Sequence, residues 1–473
     1  MSINNLMNQG RTALSVNQMA LSTTSHNVAN ANTKGYSRQR VELAANSPMG
    51  LGRHQIGTGV KLEAVQRTHS EFVNRRLEEE STNLGRFEGG AEVMGQLEMI
   101  FANDGDSGLS KTVSQFFNDL RTLSTQPESQ PLRAAVRESA NAVTSRFRSL
   151  SQGLASVVSD LDRRVEGSVD QLNFITGKIQ QLNQRIVEVE LKGSGATAND
   201  ERDARDMAIQ ELAKIVPVQV TQVENGLVNI SSSRIGVLVN GADRVELMAE
   251  RSPDGVNPGS VRVFTADSNG RRVKDVTDSL ESGQLGSYIH IRDRVTPDYR
   301  DRVDTLASRL ATNVNDIHRS AYSADGKQGV SFFRDTGEGH TAATLELSEA
   351  VTSDLGAIAT GFQALAPGDN RALLQMADLQ DAKLFDGGKA NFVDFTASIV
   401  GQVGAEVKSM NDSFEVQRGL MDQLGNMREQ VAGVSLDEEA LNMIKFQKAF
   451  DASAKMIQTA DQMLDTVLNL KRF

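Results

Sequence analysis

The chain reads as mainly α with a smaller β region. The expected architecture pairs N- and C-terminal coiled-coil helices around a long-helix, rod-like middle that carries a small β-rich unit. Three observations predict it. An apolar heptad fills residues 435–473, a second fills 1–32, and 132–191 is nearly continuous helical pattern, on the order of 90 Å if unbroken.

The C-terminal stretch opens on Ser435, with Glu438 three residues later. This is the spacing at which a hydroxyl and a carboxylate satisfy free N–H groups at a helix start. Behind it, Ala440, Met443, Gln447, Phe450, Ala454, Ile457, Asp461, Leu464 and Leu468 alternate three and four apart, as one stripe of a coiled coil requires. Gln447 and Asp461 interrupt the apolar run, which makes the seam selective rather than maximally stable. In 1–32 the same spacing selects Ile3, Met7, Gly10, Leu14, Asn17, Leu21, Thr24 and Val28, widened by Leu6, Ala13 and Ala20. A long amphipathic helix cannot bury its stripe against itself, so each needs a partner, and the opposite terminus offers one. Arg11 is the one formally charged side chain in 1–32. A neutral outer face suits a helix crowded by copies of itself or lining a water-filled channel.

The intervening chain follows in order. Asn and Gly at 30–35 reverse it. Residues 36–67 are extended, and helical spacing runs from Ser70 towards Phe101. A turn is expected at 103–108, then a helix over 109–124. Pro127 and Pro131 break the pattern before the long helix of 132–191, with Gly153, Gly167 and Gly177 as soft points. Gly193-Ser194-Gly195 ends it, and Asn199 or Asp200 caps a short helix reaching Ile215. Residues 216–291 form the β-rich unit. Its alternating runs, the last being Tyr288–Asp293, are separated by turns at Asn225-Gly226, Asn240-Gly241 and Asn269-Gly270. Helix returns over 297–322, 371–380 and 391–431, and 323–370 is loop-rich. The domains read as a terminal coil (1–35 with 435–473), a helical rod (36–215 with 292–434) and the β-rich unit (216–291).

Composition limits the function classes. The 473 residues are 39% hydrophobic and 5% aromatic, with no Trp and no Cys. Disulfides, thiol catalysis and thiolate metal sites are therefore excluded. A net charge of −11 disfavours nonspecific binding to nucleic acid or to an anionic membrane. No apolar run is long enough to insert in a membrane, and no cleavable secretory signal is visible. His26, His54, His69, His290, His318 and His340 form no metal-binding spacing, and no phosphate-binding or nucleophile motif is present. No catalytic, cofactor or metal residue is nominated. The carboxylate-rich tract Asp200–Asp206 lacks the glycine and closing glutamate of a calcium loop and reads as a solvated helix start.

Residues 13–43, with Asn27, Ala29, Asn30, Asn32, Thr33, Gly35 and Tyr36 at their present spacings, resemble the N-terminal signature of bacterial flagellar axial proteins. Residues 433–470 resemble the matching C-terminal signature. Ser37-Arg38-Gln39, and Asn199-Asp200 with Arg205-Asp206, resemble the hook-associated branch of that family, although Glu201-Arg202 departs from the apolar residues usual there. The resemblance implies a structural adaptor in a helical polymer at the hook–filament junction, exported unfolded through the flagellar channel by the type III apparatus. It implies contacts with hook protein, with the second junction protein (hook-associated protein 3) and with copies of the chain. It also implies a cytoplasmic export chaperone on the C-terminal face of Met443, Phe450, Ala454, Ile457, Leu464 and Leu468. The short 331–370 interval implies that a large outer β-domain is missing or vestigial. Another axial protein, or a soluble coiled-coil scaffold sharing only heptads, stands as the alternative.

Overall fold

The computed structural model describes residues 3–51, 54–101, 108–192, 196–253, 259–267, 269–335 and 341–470. Most of the turn expected at 103–108, the helix end at 193–195 and His340 lie outside the described residues. The chain opens on α1 (Ile3–Ala29), then a long antiparallel ladder of β1 (Gln39–Ala45) and β4 (Val60–Arg67), whose tip is closed by β2 (Met49–Leu51) and β3 (His54–Ile56). The body follows: α2 (Glu71–Phe101), α3 (Leu109–Thr125), α4 (Gln130–Lys192) and α5 (Asn199–Ile215).

Two small antiparallel sheets come next. One has the order β5-β6-β7-β8, from β5 (Gln219–Gln222), β6 (Val228–Ser232), β7 (Gly236–Asn240) and β8 (Asp243–Arg244). The other has the order β11-β10-β9, from β9 (Leu247–Arg251), β10 (Val261–Ala266) and β11 (Arg272–Asp275). Then come α6 (Gly283–His290), a π-helical turn at Ile291–Val295, α7 (Thr296–Ser320), α8 (Glu349–Ser353), α9 (Arg371–Asp378), α10 (Phe392–Ala432) and α11 (Leu436–Leu470).

The spine is α4, 63 residues without interruption, so its three glycines do not break it. Its inner stripe (Val136, Val143, Phe147, Leu150, Leu154, Leu161) continues at the same spacing to Ile186, all 1% exposed or less at the positions named. Burial of that stripe, rather than propensity, holds such a length. Polar residues on the spine fix the register of what packs on it. Asp162 Oδ1 accepts from Val261 N (3.0 Å) and from Arg292 Nη1 (2.9 Å). Asn173 exchanges two bonds with the backbone of Leu247. Asn183 donates to Val228 O and Gly241 O. The buried Arg292 thus has its charge paired, which a buried guanidinium requires.

Three expectations are corrected. The β-rich unit ends at Asp275, and Tyr288–Asp293 is helix: Leu285, Tyr288, Ile289 and Ile291 are buried at helical spacing against α2 and α4. A short apolar run fits both periods, and packing decides between them. Residues 36–67 are extended, as their alternating runs predict, and hold a paired ladder. Neither Asn199 nor Asp200 caps α5, whose cap is Ala198. The Ser435–Glu438 box is half formed: Ser435 Oγ accepts from Glu438 N at 3.5 Å, while the Glu438 carboxylate is drawn to Arg38. Among the described residues of 331–370 no second β-domain is present. Phe332, Phe333, Leu345 and Val351 instead plug the main core.

His318 holds this plug. It is 0% exposed, with Nδ1–H donating to Val330 O (2.7 Å) and Nε2 accepting from Ala359 N (2.9 Å). Acceptance from Ala359 N needs the neutral ring, and burial pushes its pKa down to about 4 against the opposing bond to Val330 O. Unfolded chain takes up this proton near pH 6.5 and folded chain only near 4, so the contribution is complete above 6.5 and is lost as pH falls to 4. We predict that up to about 3 kcal/mol of stability disappears across that window. Urea unfolding of wild type and His318→Gln at pH 7 and pH 4.5 measures it: the variant is less stable at pH 7, and the gap narrows at pH 4.5.

Candidate functional site: a polar joint between coil and body

The coil is one antiparallel pair. Asn17 Nδ2 donates to Ser453 Oγ (3.3 Å), Asn27 Nδ2 to Glu439 Oε2 (3.2 Å), and Gly10 lies against Ile457. A Cβ at Gly10 would sit 2.6 Å from Ile457 Cγ1, so the glycine sets a close approach of the two helices. The seam differs from the apolar stripe by one position. On α11 the buried column is Glu439, Ser453 and Ala460, with Met443, Phe450, Ala454, Ile457 and Leu464 half-buried beside it. Ala440, Gln447 and Asp461 are exposed, so the last two do not interrupt the seam, and Leu468 is 56% exposed. On α1 the buried positions are Gly10, Val16, Ala20, Thr23, Thr24 and Asn27. Ile3, Met7, Leu14 and Leu21 are half-buried, and Val28 is exposed. Polar residues displace apolar ones because the helices also hydrogen-bond to each other and to the reversal that follows.

That reversal carries a dense polar cluster. Asn27 is 1% exposed and makes four side-chain bonds: it donates to Gln39 O and Glu439 Oε2 and accepts from Gln39 N and Tyr36 Oη. Its full bonding capacity is used. Tyr36 is buried beside it, and burial, with Asp200, Asp203 and Glu439 nearby, pushes its phenol above the ordinary value. Gly35 turns the chain at φ +83°, and a side chain there would collide with Met207. Asn30 donates to His26 O and accepts from Thr33 Oγ1, closing the turn. Ala29, Asn32 and Thr33 face outwards and are exposed.

The tract Asp200–Asp206 is not a solvated helix start. Its three aspartates, three apart, fall on one face of α5 and grip the reversal. Asp203 is 6% exposed and accepts from Ser37 N (2.7 Å), Ser37 Oγ (2.8 Å) and Arg67 Nη1 (2.7 Å). Arg67 also reaches Asp206 at 2.7 Å. Burial alone would lower the Arg67 pKa, and Asp206 and Asp203 outweigh it. Asp200 accepts from Gln39. Arg205 turns the other way, to Asn183 Oδ1 and Gly226 O, and burial pushes it down to about 10. Arg202 pairs with Glu190, so the departure at that position is accommodated by a salt bridge. Arg38 clamps Glu438 and Glu439 of α11, and its N–H donates to Ala432 O. Arg428 Nη2 donates to Gly35 O at 2.6 Å. Arg67, Asp203, Arg428 and Glu439 had no place among the candidate residues, and Asp206 entered only through the resemblance of Asn199-Asp200 with Arg205-Asp206. The further available signal was the three-residue spacing of the aspartates.

Among the described residues, no group of three or more His, Asp or Glu side chains is arranged to hold a metal, and no helix is long and apolar enough to cross a membrane. The arrangement ties six elements (α1, β1, β4, α5, α10 and α11) through one reversal.

A model of the flagellar hook-associated protein FlgK helical domain matches residues 94–333, just over half of the chain. The chain belongs to this family. Models of the flagella basal body rod protein and of the basal body rod FlgEFG protein C-terminal region match 7–36 and 430–470, the two coil helices with their reversal. Flagellar hook-associated protein 1 of Bacillus subtilis is 29% identical over 97% of this chain and 96% of its own. Its Escherichia coli counterpart is 26% identical over 99% and 100%. The flagellar hook junction protein FlgK of Burkholderia pseudomallei shares the fold, with TM-score 0.67 and 13% identity over 76% of this chain and 100% of that one. The chain is thus a structural, hook-associated component of the flagellum.

We predict that Asn27→Ala leaves Tyr36 Oη, Gln39 N and Glu439 short of partners and costs the joint about 3 kcal/mol. Amide exchange at 35–39 and trypsin cleavage after Arg38 should both accelerate, with the body unchanged. In a double-mutant cycle, Arg38→Ala and Glu439→Gln should couple by about 1–3 kcal/mol.

Proposed function

We propose that the chain is an adaptor layer between hook and filament, outside the cell, with hook protein on one side and the second junction protein, hook-associated protein 3, on the other. The observation that carries this is the joint. Two rod-type terminal segments are paired in one coil and set on a hook-associated body by buried, directional bonds, which is what an adaptor needs to pass load between unlike neighbours. The described chain also leaves apolar surface on α11 uncovered: Leu441 (68% exposed), Ile444 (56%), Val467 (54%) and Leu468. Copies of the chain in a helical assembly would cover it, with Ile3, Met7, Leu14, Leu21 and Val28 contributing from α1.

Before assembly the same surface needs protection, since exposed apolar stripes promote association. A helical export chaperone gripping α11 around Met443, Phe450, Ala454, Ile457, Leu464 and Leu468 would provide it. Export unfolded through the type III apparatus agrees with the absence of disulfides.

Gly10→Leu tests the adaptor reading. It forces α1 and α11 apart without touching the body. The expected result is unchanged secretion, a folded body by circular dichroism, and loss of filament attachment in a complemented deletion strain, seen by electron microscopy. Normal filaments with the variant present in purified hook–basal bodies would overturn the reading.

A further inference from the structure

Glu78 lies on α2 between two cavities that flank the joint. The larger, about 980 Å3, is bounded by β4, α2, α5 and β5. The smaller, about 20 Å3 and thus close to one water, lies directly under Gly35 and Ser37. Glu78 lines both, and so does Asp206, which holds Arg67. Every other acidic group of the cluster has a cationic or hydrogen-bonding partner: Asp203 and Asp206 have Arg67, Glu71 has Gln222, and Glu79 has Arg76. No bond or ion pair satisfies Glu78 among the described residues, although it is half-buried and faces Asp206.

We propose that the Glu78–Asp206 carboxylate pair is a proton-controlled latch on the joint, closed while the pair holds a proton and loosened when both groups ionise. With the proton on Glu78, the pair carries one charge, on Asp206, which Arg67 holds together with Asp203. Without it, two carboxylates share a poorly solvated wall, and the relief is for α5 to move off α2, releasing the Asp203 grip on Ser37. The charged and titratable groups that line the two cavities with Glu78 are Glu71, Arg75 and Glu79 on its own helix, Arg202, Asp203, Arg205 and Asp206 on α5, Arg67 on β4, His69 after it, and Arg428 on α10. Arg67 is committed to the two aspartates, Arg202 to Glu190, Arg205 to Asn183 and Arg428 to Gly35. Arg75 favours ionisation of Glu78, but burial and Asp206 together outweigh it and push the carboxyl up to about 7.

The direction follows from linkage. The latched state holds this proton to about pH 7 and the opened state only to about 4.5, so latching is complete in acid and is lost as pH rises through neutrality. Opening should increase about tenfold between pH 6 and pH 8 on those two values. The experiment is amide exchange on the full chain at pH 6, 7 and 8, corrected for intrinsic rates and read at 35–39 and 199–210. Wild type should show the tenfold rise, and Glu78→Gln, isosteric and uncharged, should abolish it and stay protected throughout. His26, which sits 3.3 Å from Asp200, is the histidine in contact with the joint, so His26→Gln is the second arm and should keep the wild-type slope. A Glu78→Gln profile parallel to wild type, or a slope that vanishes in His26→Gln alone, would overturn the proposal. Loss of filament attachment plays no part in this readout, so the latch and the adaptor reading fail separately.

Discussion

A buried amide governs this molecule. Asn27 is enclosed, and all four of its hydrogen-bonding positions are filled by groups from β1, the reversal and α11. Such a side chain tolerates no slip. Moving α11 by one turn, or the reversal by one residue, would strand several buried polar atoms at once, each at a cost of about 1–3 kcal/mol. An apolar seam of the same area would hold the helices together but allow them several registers. Fixing one register therefore falls to Asn27, with the ion pairs of Arg38 and Arg67 reinforcing it. The same division of labour recurs on α4, where Asp162, Asn173 and Asn183 set register along a stripe whose apolar residues supply the cohesion.

The body and the coil differ in how they are stabilised. The body has one continuous core running from α2 through the two sheets to α10, with most of its large side chains fully enclosed. The coil buries a narrow column of small and polar residues, and its larger apolar side chains stay half-exposed or exposed. Stability is thus graded along the molecule, lowest where the chain has the most unsatisfied apolar surface. That grading agrees with the proposal that the ends complete their packing against neighbours while the body stands alone.

Much of this was legible in the sequence. Apolar spacing placed α2, α3, α4, α7 and α10 to within a residue or two, because those helices bury a stripe and their ends carry Pro, Gly or a capping Asn. Glycine in asparagine-rich contexts located the turns at Gly226, Gly241 and Gly270, each at positive φ. The failures share a cause. At Tyr288–Asp293 alternation suggested a strand, but the partners that bury Leu285 and Ile289 come from α2 and α4, far away in the chain. On α11 the most apolar column was not the buried one. Glu439 and Ser453 point inwards because Asn27, Arg38 and Asn17 meet them there, and no local pattern records a partner some four hundred residues distant. The acidic tract failed for the same reason: counted by composition it looks solvated, while its three-residue spacing aims it at Ser37 and Arg67.

The polar character of the joint also bears on load. Dispersion contacts between helices yield gradually, because one set of near-neighbours is exchanged for another. Charge-assisted bonds at 2.6–2.8 Å, such as Arg38–Glu438, Ser37–Asp203 and Arg428–Gly35, are short-ranged and directional, so they resist shear until they break together. A joint built from them keeps the coil at a fixed angle to the body across small displacements. Its cost is the desolvation of Asp203, Glu439 and Arg67, which only complete pairing offsets. The reversal therefore cannot be simplified one residue at a time. Removing Arg38 leaves the buried Glu439 without its cation, and removing Arg67 leaves Asp203 without one, so the Arg38–Glu439 and Ser37–Asp203–Arg67 groups each act as a unit.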